Sequence, residues 1–211
     1  MTLLPHDRFQ RLLFFVLLAV FVGSCIAPPY REFLLMQHTP TVLGGLLLAS
    51  MSNRFKISRL SFASITLFLC LHSVGARYLY TYVPYDEWSK QLLGISISET
   101  FSFQRNHYDR LVHFSYGLLM AVPIQEFERR YLQLSVGISS ILAVECILAT
   151  SAAYELAEWL VAIVFTPTWA EQFLGHQGDP FDAHKDMALA TAGAILSVSV
   201  ATLATRLRRK L

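Results

Sequence analysis

Charge is what this sequence has least of. Only 15% of its 211 residues are Asp, Glu, Lys or Arg, against roughly a quarter in an average soluble domain. Hydrophobic residues make up 54%, a balance that points to a membrane protein. The net charge is +2 and no concentrated basic patch exists, so nucleic-acid binding has no warrant. Cysteine is scarce too: Cys25, Cys70 and Cys146 each sit inside an apolar run, with no CxxC spacing. Nothing there implies a disulfide framework or a thiolate metal site, and small buried side chains are the plain reading. The chain has no GxSxG, no P-loop, no HExxH and no ExxH, and it lacks internal repeats and low-complexity segments. A serine-hydrolase triad and a phosphate cradle therefore lose their usual scaffolds.

What the sequence does have is long apolar runs. A spanning helix needs about 20 mostly apolar residues. Runs of that kind predict spans at about 12–30, 33–52, 59–76, 108–126, 132–154 and 185–205. The whole chain, 1–211, then reads as one all-α transmembrane domain, an integral membrane bundle of about six helices. The stretch from Tyr131 to Ala170 is too long for one upright span, since it would extend about 60 Å at 1.5 Å per residue. The expectation is a span over 132–154, then an interfacial or bent extension to about 166 through "LAEWLVAIVFTPTW", ended by Pro167.

Loop charges give direction. Arg8 and Arg11 precede the first run. Arg54, Lys56 and Arg59 separate the second and third, Arg129 and Arg130 the fourth and fifth, and Arg206, Arg208, Arg209 and Lys210 follow the last. The connections between these are near neutral ("PPYRE") or acidic ("EQFLGHQGDPFDAHKD"). Six spans with both termini cytoplasmic satisfy every loop. The N-terminus also resembles a signal peptide cut before Cys25 at "VGSC", although its apolar run continues through "CIAPPY" and is long for a signal core. The outer stretch "RYLYTYVPYDEWSKQLLGIS" carries Tyr and Trp suited to an interfacial belt.

With that orientation, the intramembrane ionisable residues collect at the outer ends of the spans. Asp109 and His113 open the fourth span at i,i+4, Glu155 and Glu158 close the fifth at i,i+3, and Asp182 and Asp186 open the sixth at i,i+4. Tyr116, Tyr154, Asp179, His72 and Arg77 stand close by in sequence depth as supporting residues. The face carrying Asp182 and Asp186 continues as Ala190, Gly193 and Ser197, a small-residue seam that lets another helix approach. Gly117 lies near the corresponding face of the fourth span. Carboxylates at such depth are costly unless paired or hydrated. The plain alternative is a polar rim, in which the acids cap helix N-termini and pair with Arg77, Arg110 or Lys185. Glu145, in the outer half of the fifth span, is either a functional group or a buried carboxyl bonded to a neighbour. His38, beside Pro40, reads as structural.

Acids and imidazoles gathered from several helices can hold a divalent metal, drawn here from Asp109, His113, Glu155, Glu158, Asp182 and Asp186. They can equally serve as a metal-free acid–base site or a proton relay. The cofactor stays unknown at this level.

"HYDRLVHFSYGLLMA", "SAAYELAEW" and "FLGHQGDPFDAHKDMALATAGA" resemble the three signature blocks of the YjdF family, small bacterial inner-membrane proteins without an assigned activity. "RYLYTYVP" resembles that family's "HYTY" stretch, with Arg77 where a histidine often stands. The likeness runs from about Leu71 to Ala194. A weaker similarity connects the chain to VanZ-like membrane proteins: Asp109, Arg110, His113 and Phe114, then Tyr154 and Glu155, then Asp186 with Gly193 and Ala194, but Ala190 stands where an Asn is expected. The resemblance implies an inner-membrane location and an outward polar site, and no reaction. Three readings follow: an enzyme on a lipid or envelope-linked substrate, with the six acid and histidine residues as its catalytic set; a small-solute or ion-coupled transporter; and a structural or accessory membrane protein. The lipid bilayer is the one partner implied, and the oligomeric state is open.

Overall fold

The computed structural model describes residues 4–208. Arg209 and Lys210 of the C-terminal basic run lie outside the described residues, as do the side chains of Arg206 and Arg208. Among the described residues the chain is all-α. It runs α1 (Arg8–Cys25), a 3-10 turn (Arg31–Phe33), α2 (Leu34–Arg54), α3 (Arg59–Arg77), α4 (Tyr85–Leu93), α5 (Ile97–Phe101), α6 (Tyr108–Tyr131), α7 (Val136–Val164), α8 (Pro167–Leu174) and α9 (Asp182–Arg208). Five segments are long and apolar enough to cross a membrane: Arg8–Cys25, Arg31–Arg54, Arg59–Arg77, Val136–Val164 and Asp182–Thr205. α6 is long enough, but Asp109, Arg110, Glu126, Glu128, Arg129 and Arg130 make it the most polar of the long helices.

Helix starts follow capping chemistry. Asp7 accepts the Gln10 N–H at 3.0 Å and begins α1 before the apolar run does. Ser58 caps α3 through Ser61 N–H, and Ser135 caps α7 through Ile138 N–H. α1 stops at Cys25 rather than running to residue 30 as expected, because Pro28 and Pro29 cannot extend it. The segment after residue 154, expected as an interfacial or bent extension, carries on from the span without a break. α7 continues as one helix of 29 residues to Val164, about 43 Å at 1.5 Å per residue. Nothing between residues 155 and 164 breaks a helix, and Pro167 starts α8 instead of ending α7. The aromatic stretch 77–96 folds into a turn after α3 and then α4. Its rings divide: Tyr80 is buried, while Tyr82 and Trp88 remain exposed.

Packing forms two groups joined through α3 and α6. In one, Leu17, Leu48, Phe62 and Leu69 bring α1, α2 and α3 together. In the other, Ala121, Ala143, Ile147, Ala190, Ala194 and Val198 pack α6, α7 and α9. The closest approach is between α6 and α9. A Cβ on Gly117 would fall 1.7 Å from the Ala190 carbonyl oxygen, and one on Gly193 would fall 2.2 Å from the Phe114 carbonyl oxygen. Only glycine fits at either position.

The bundle has two chemically distinct ends. At one, Asp7 pairs with Arg59 at 2.8 Å, Glu126 accepts the Ser58 N–H and pairs with Arg130, and Arg130 Nη1 donates to the Lys56 carbonyl. The other end gathers α4, α5, α8 and their loops. There Thr81 Oγ1 donates to the Gly175 carbonyl, and Asn106 and Gln177 exchange bonds.

Candidate functional site

At the second end, α6, α7 and α9 bring acids and a histidine together. Asp109 sits in the first turn of α6, where the helix dipole favours an anion. His113, one turn on, points Nε2 toward Asp109 Oδ1 at 3.6 Å and toward Glu155 Oε1 of α7 at 3.8 Å. Asp186 enters from the second turn of α9 and is only 2% exposed. One donor atom each from Asp109, His113 and Asp186 lies within 4.8 Å of the others. Asp109, Glu155, Glu158 and Asp186 line a cavity of about 380 Å³, whose lining does not include His113. Among the described residues no arginine or lysine comes within 4.0 Å of Asp109, Glu155, Glu158 or Asp186. Glu155 Oε1 and Asp186 Oδ1 are buried and accept no hydrogen bond.

A rim of ion pairs closes over this inner group. Arg105 grips Asp182 with both guanidinium nitrogens, at 2.7 and 3.2 Å, and also donates to the His176 carbonyl. Arg110 donates to Asp179 at 2.7 Å and lies 3.5 Å from Asp182. Lys185 Nζ reaches Asp179 at 2.5 Å. The Lys185 hydrogen bond, then the Phe181 N–H, hold the Asp179 carboxyl down at about 2. His107, just before α6, is lowered by burial and then by the charges of Arg110 and Arg105. The arginines thus serve the rim acids and leave the inner acids uncompensated.

A larger cavity, about 670 Å³, runs between α2, α3, α6 and α7. Its wall is mostly apolar, with Phe68, Leu69, Val112 and Met120 in the middle. Asp109, His113 and Tyr154 stand at one end, Glu126 and Glu128 at the other. Asp109 lines both cavities.

The six residues read from the sequence as one set do converge, but they split in two. Asp109, His113, Glu155, Glu158 and Asp186 form the inner group. Asp182 joins Asp179 in the rim, because Arg105 claims it. Tyr154 lies beside His113, with ring centroids 6.1 Å apart. Tyr116 sits lower in the groove, its hydroxyl bonded to Thr150 Oγ1 at 2.6 Å. His72 lines the groove but is tied elsewhere: Nε2 donates to the Gln37 carbonyl at 3.1 Å, so Nδ1 accepts from the Tyr80 hydroxyl. Arg77 is not at the site. Its guanidinium caps the end of α1 through the carbonyls of Gly23, Ser24, Ile26 and Ala27. Glu145 is exposed on α7 and lines neither cavity, so it is not the buried carboxyl that was the alternative for it. His38 is buried against Ser24 at 3.1 Å, a structural contact. Arg105 was missed. A cation five residues before Arg110 in an otherwise polar loop was the only available signal.

The family model described as "Predicted membrane protein (DUF2238)" matches residues 9–209. The chain belongs to this family. Within it, the "Inner membrane protein YjdF" of Escherichia coli (strain K12) is 34% identical over 165 residues, 78% of this chain and 75% of that protein. The likeness to the YjdF family seen in the three sequence blocks is therefore real, and this YjdF-family protein is a multi-pass membrane protein of the all-helical kind described above. The finer likeness to VanZ-like proteins finds no support in these matches. No solved structure matches the chain.

Proposed function

We propose that this YjdF-family protein resides in the bacterial inner membrane with six spans, α6 joining the five more apolar ones, and with both termini cytoplasmic. Its acid pocket faces outward and acts on a lipid or envelope-linked substrate. The carrying observation is that Asp109 lines both an uncompensated acid pocket and an apolar groove about 670 Å³ in volume. An amphiphile has the same two-part character, a polar head for the pocket and an alkyl chain for the groove. The basic residues at the opposite end support the orientation, since cytoplasmic loops carry the excess of Lys and Arg. The YjdF relative's description as an inner membrane protein supports the location.

Glu158, which lines the acid pocket, can take a proton from a substrate hydroxyl. The test is the envelope lipid profile of cells making the wild type, Asp109→Asn or Glu155→Gln at equal membrane levels. A lipid or envelope-linked species should change with the wild type and with neither variant. Identical profiles in all three would overturn the reading.

One observation favours transport as a second reading. The groove spans most of the bundle, from Asp109 to Glu126 and Glu128. Uptake of a small solute that depends on Glu128 as well as Asp109 would select it.

A further inference from the structure

We propose that Asp109, His113 and Asp186 hold a divalent first-row transition-metal ion, with Glu155, which lies outside that close set but 3.8 Å from His113 Nε2, turning in as the fourth donor. This goes beyond the reading above, because the ion's binding does not depend on what the pocket acts upon.

Distances come first. His113 Nε2 lies 3.6 Å from Asp109 Oδ1 and 3.8 Å from Glu155 Oε1. Both are too long for hydrogen bonds, which for N–H···O fall at roughly 2.7–3.2 Å. A tetrahedral ion with bonds of about 2.1 Å places neighbouring donors about 3.4 Å apart. The three-residue donor set, within 4.8 Å of one another, closes to that spacing when each pair draws together by at most about 1.4 Å.

The second observation is independent of spacing. Asp186 is 2% exposed and its Oδ1 has no hydrogen-bond partner. Glu155 Oε1 is buried and equally unpartnered. Buried polar atoms in folded proteins are rarely orphaned. The nearby guanidinium groups are engaged by Asp182 and Asp179. A dication supplies the missing partner for both oxygens and compensates the charge.

Ligand chemistry selects the class. An imidazole nitrogen with carboxylate oxygens, and no thiolate, suits manganese, iron or zinc; an all-oxygen set would suit calcium or magnesium. The close α6–α9 packing at Gly117 and Gly193 fixes the Asp109–His113 face against the Asp186 face, as a preformed site requires.

The experiment uses the full chain, purified in detergent, stripped with a chelator and titrated with Mn²⁺ and Zn²⁺. Binding is followed by free-Mn²⁺ resonance and by calorimetry. One ion per chain is expected. Asp186→Asn and His113→Gln should each weaken binding by more than the roughly 10–100-fold that loss of a supporting contact costs. Glu145→Gln, on the exposed face of α7, should leave it unchanged. A separate readout guards against misfolding: without metal, Asp186→Asn should melt no lower than the wild type, and it should lose the metal-dependent rise in melting temperature. Glu155→Gln provides a second variant with the same expected pattern. Absence of binding at millimolar Mn²⁺ and Zn²⁺, a preference for Ca²⁺, or unchanged affinity in Asp186→Asn and Glu155→Gln would overturn the assignment. A negative lipid-profile experiment would leave a positive binding result standing.

Discussion

Gly117→Ala adds one methyl group at the tightest contact in the bundle. That Cβ would meet Ala190 O at 1.7 Å, Ala190 C at 2.7 Å and Ala194 N at 2.8 Å. All three are backbone atoms of α9, so no side chain can swing aside. Ordinary contact begins near 3.4 Å, and 3.4 less 1.7 leaves 1.7 Å to be found by separating α6 from α9. Overpacking of this kind costs about 1–3 kcal/mol, and alanine's helix propensity returns up to about 1 kcal/mol. A clash with immovable backbone takes the upper end of that cost, so the net loss should be about 2 kcal/mol, or roughly 4–8 °C in melting temperature for a chain of this size. The same separation would draw Asp109 and His113 away from Asp186, so metal affinity should fall along with stability. Thermal unfolding in one detergent, with Gly23→Ala and Gly137→Ala as controls, measures the effect. A Cβ at either control position meets nothing within 4 Å, and these variants should be neutral or slightly stabilised. If Gly117→Ala melts with the controls and binds Mn²⁺ like the wild type, the reasoning about the α6–α9 seam is wrong.

Arg105→Ala should cost about 3 kcal/mol, the lower end for breaking a buried pair, because Arg110 still stands 3.5 Å from Asp182. The double variant Arg105→Met with Asp182→Leu should be less destabilised than either single change, which a thermal double-mutant cycle would show. Arg77→Ala should lower stability by about 1 kcal/mol through the uncapped end of α1 and leave metal affinity unaltered, as chemical denaturation and Mn²⁺ titration would report. Asp179 has a folded pKa near 2 against an ordinary 3.8, so its contribution is complete above about 4 and disappears as pH falls through 2. The melting-temperature gap between wild type and Asp179→Asn should therefore be flat from pH 7 to about 4 and close toward pH 2; a gap that closes near neutrality would refute the assignment.

Much of the architecture was legible from composition because apolar runs of span length have few alternatives. Helical spacing also carried the site. The i,i+4 pairs Asp109–His113 and Asp182–Asp186 do share faces, and the seam of Ala190 and Gly193 does meet α6. The partners of those acids were not legible. Arg77 sits at the right end of the bundle, yet it turns to the carbonyls of α1, and sequence depth says nothing about rotation around a helix axis. Arg105 reaches Asp182 across 77 positions of chain, a contact that only tertiary folding creates. Its grip is also what separates Asp182 from Asp186, although the two are equivalent by spacing. That residues 155–164 continue α7 without a break was not legible for a different reason. Span arithmetic assumes that a helix ends where the hydrocarbon ends, whereas residues 155–164 contain no residue that stops a helix.

Everything functional rests on the acid pocket facing outside. Single cysteines at Gln104 and Arg129, both exposed, can be introduced after Cys25, Cys70 and Cys146 are replaced, then treated in intact cells with a membrane-impermeant maleimide. Gln104→Cys should label in intact cells, and Arg129→Cys only after the membrane is opened. The reverse pattern would place Asp109, His113 and Asp186 on the cytoplasmic side and contradict the proposed function.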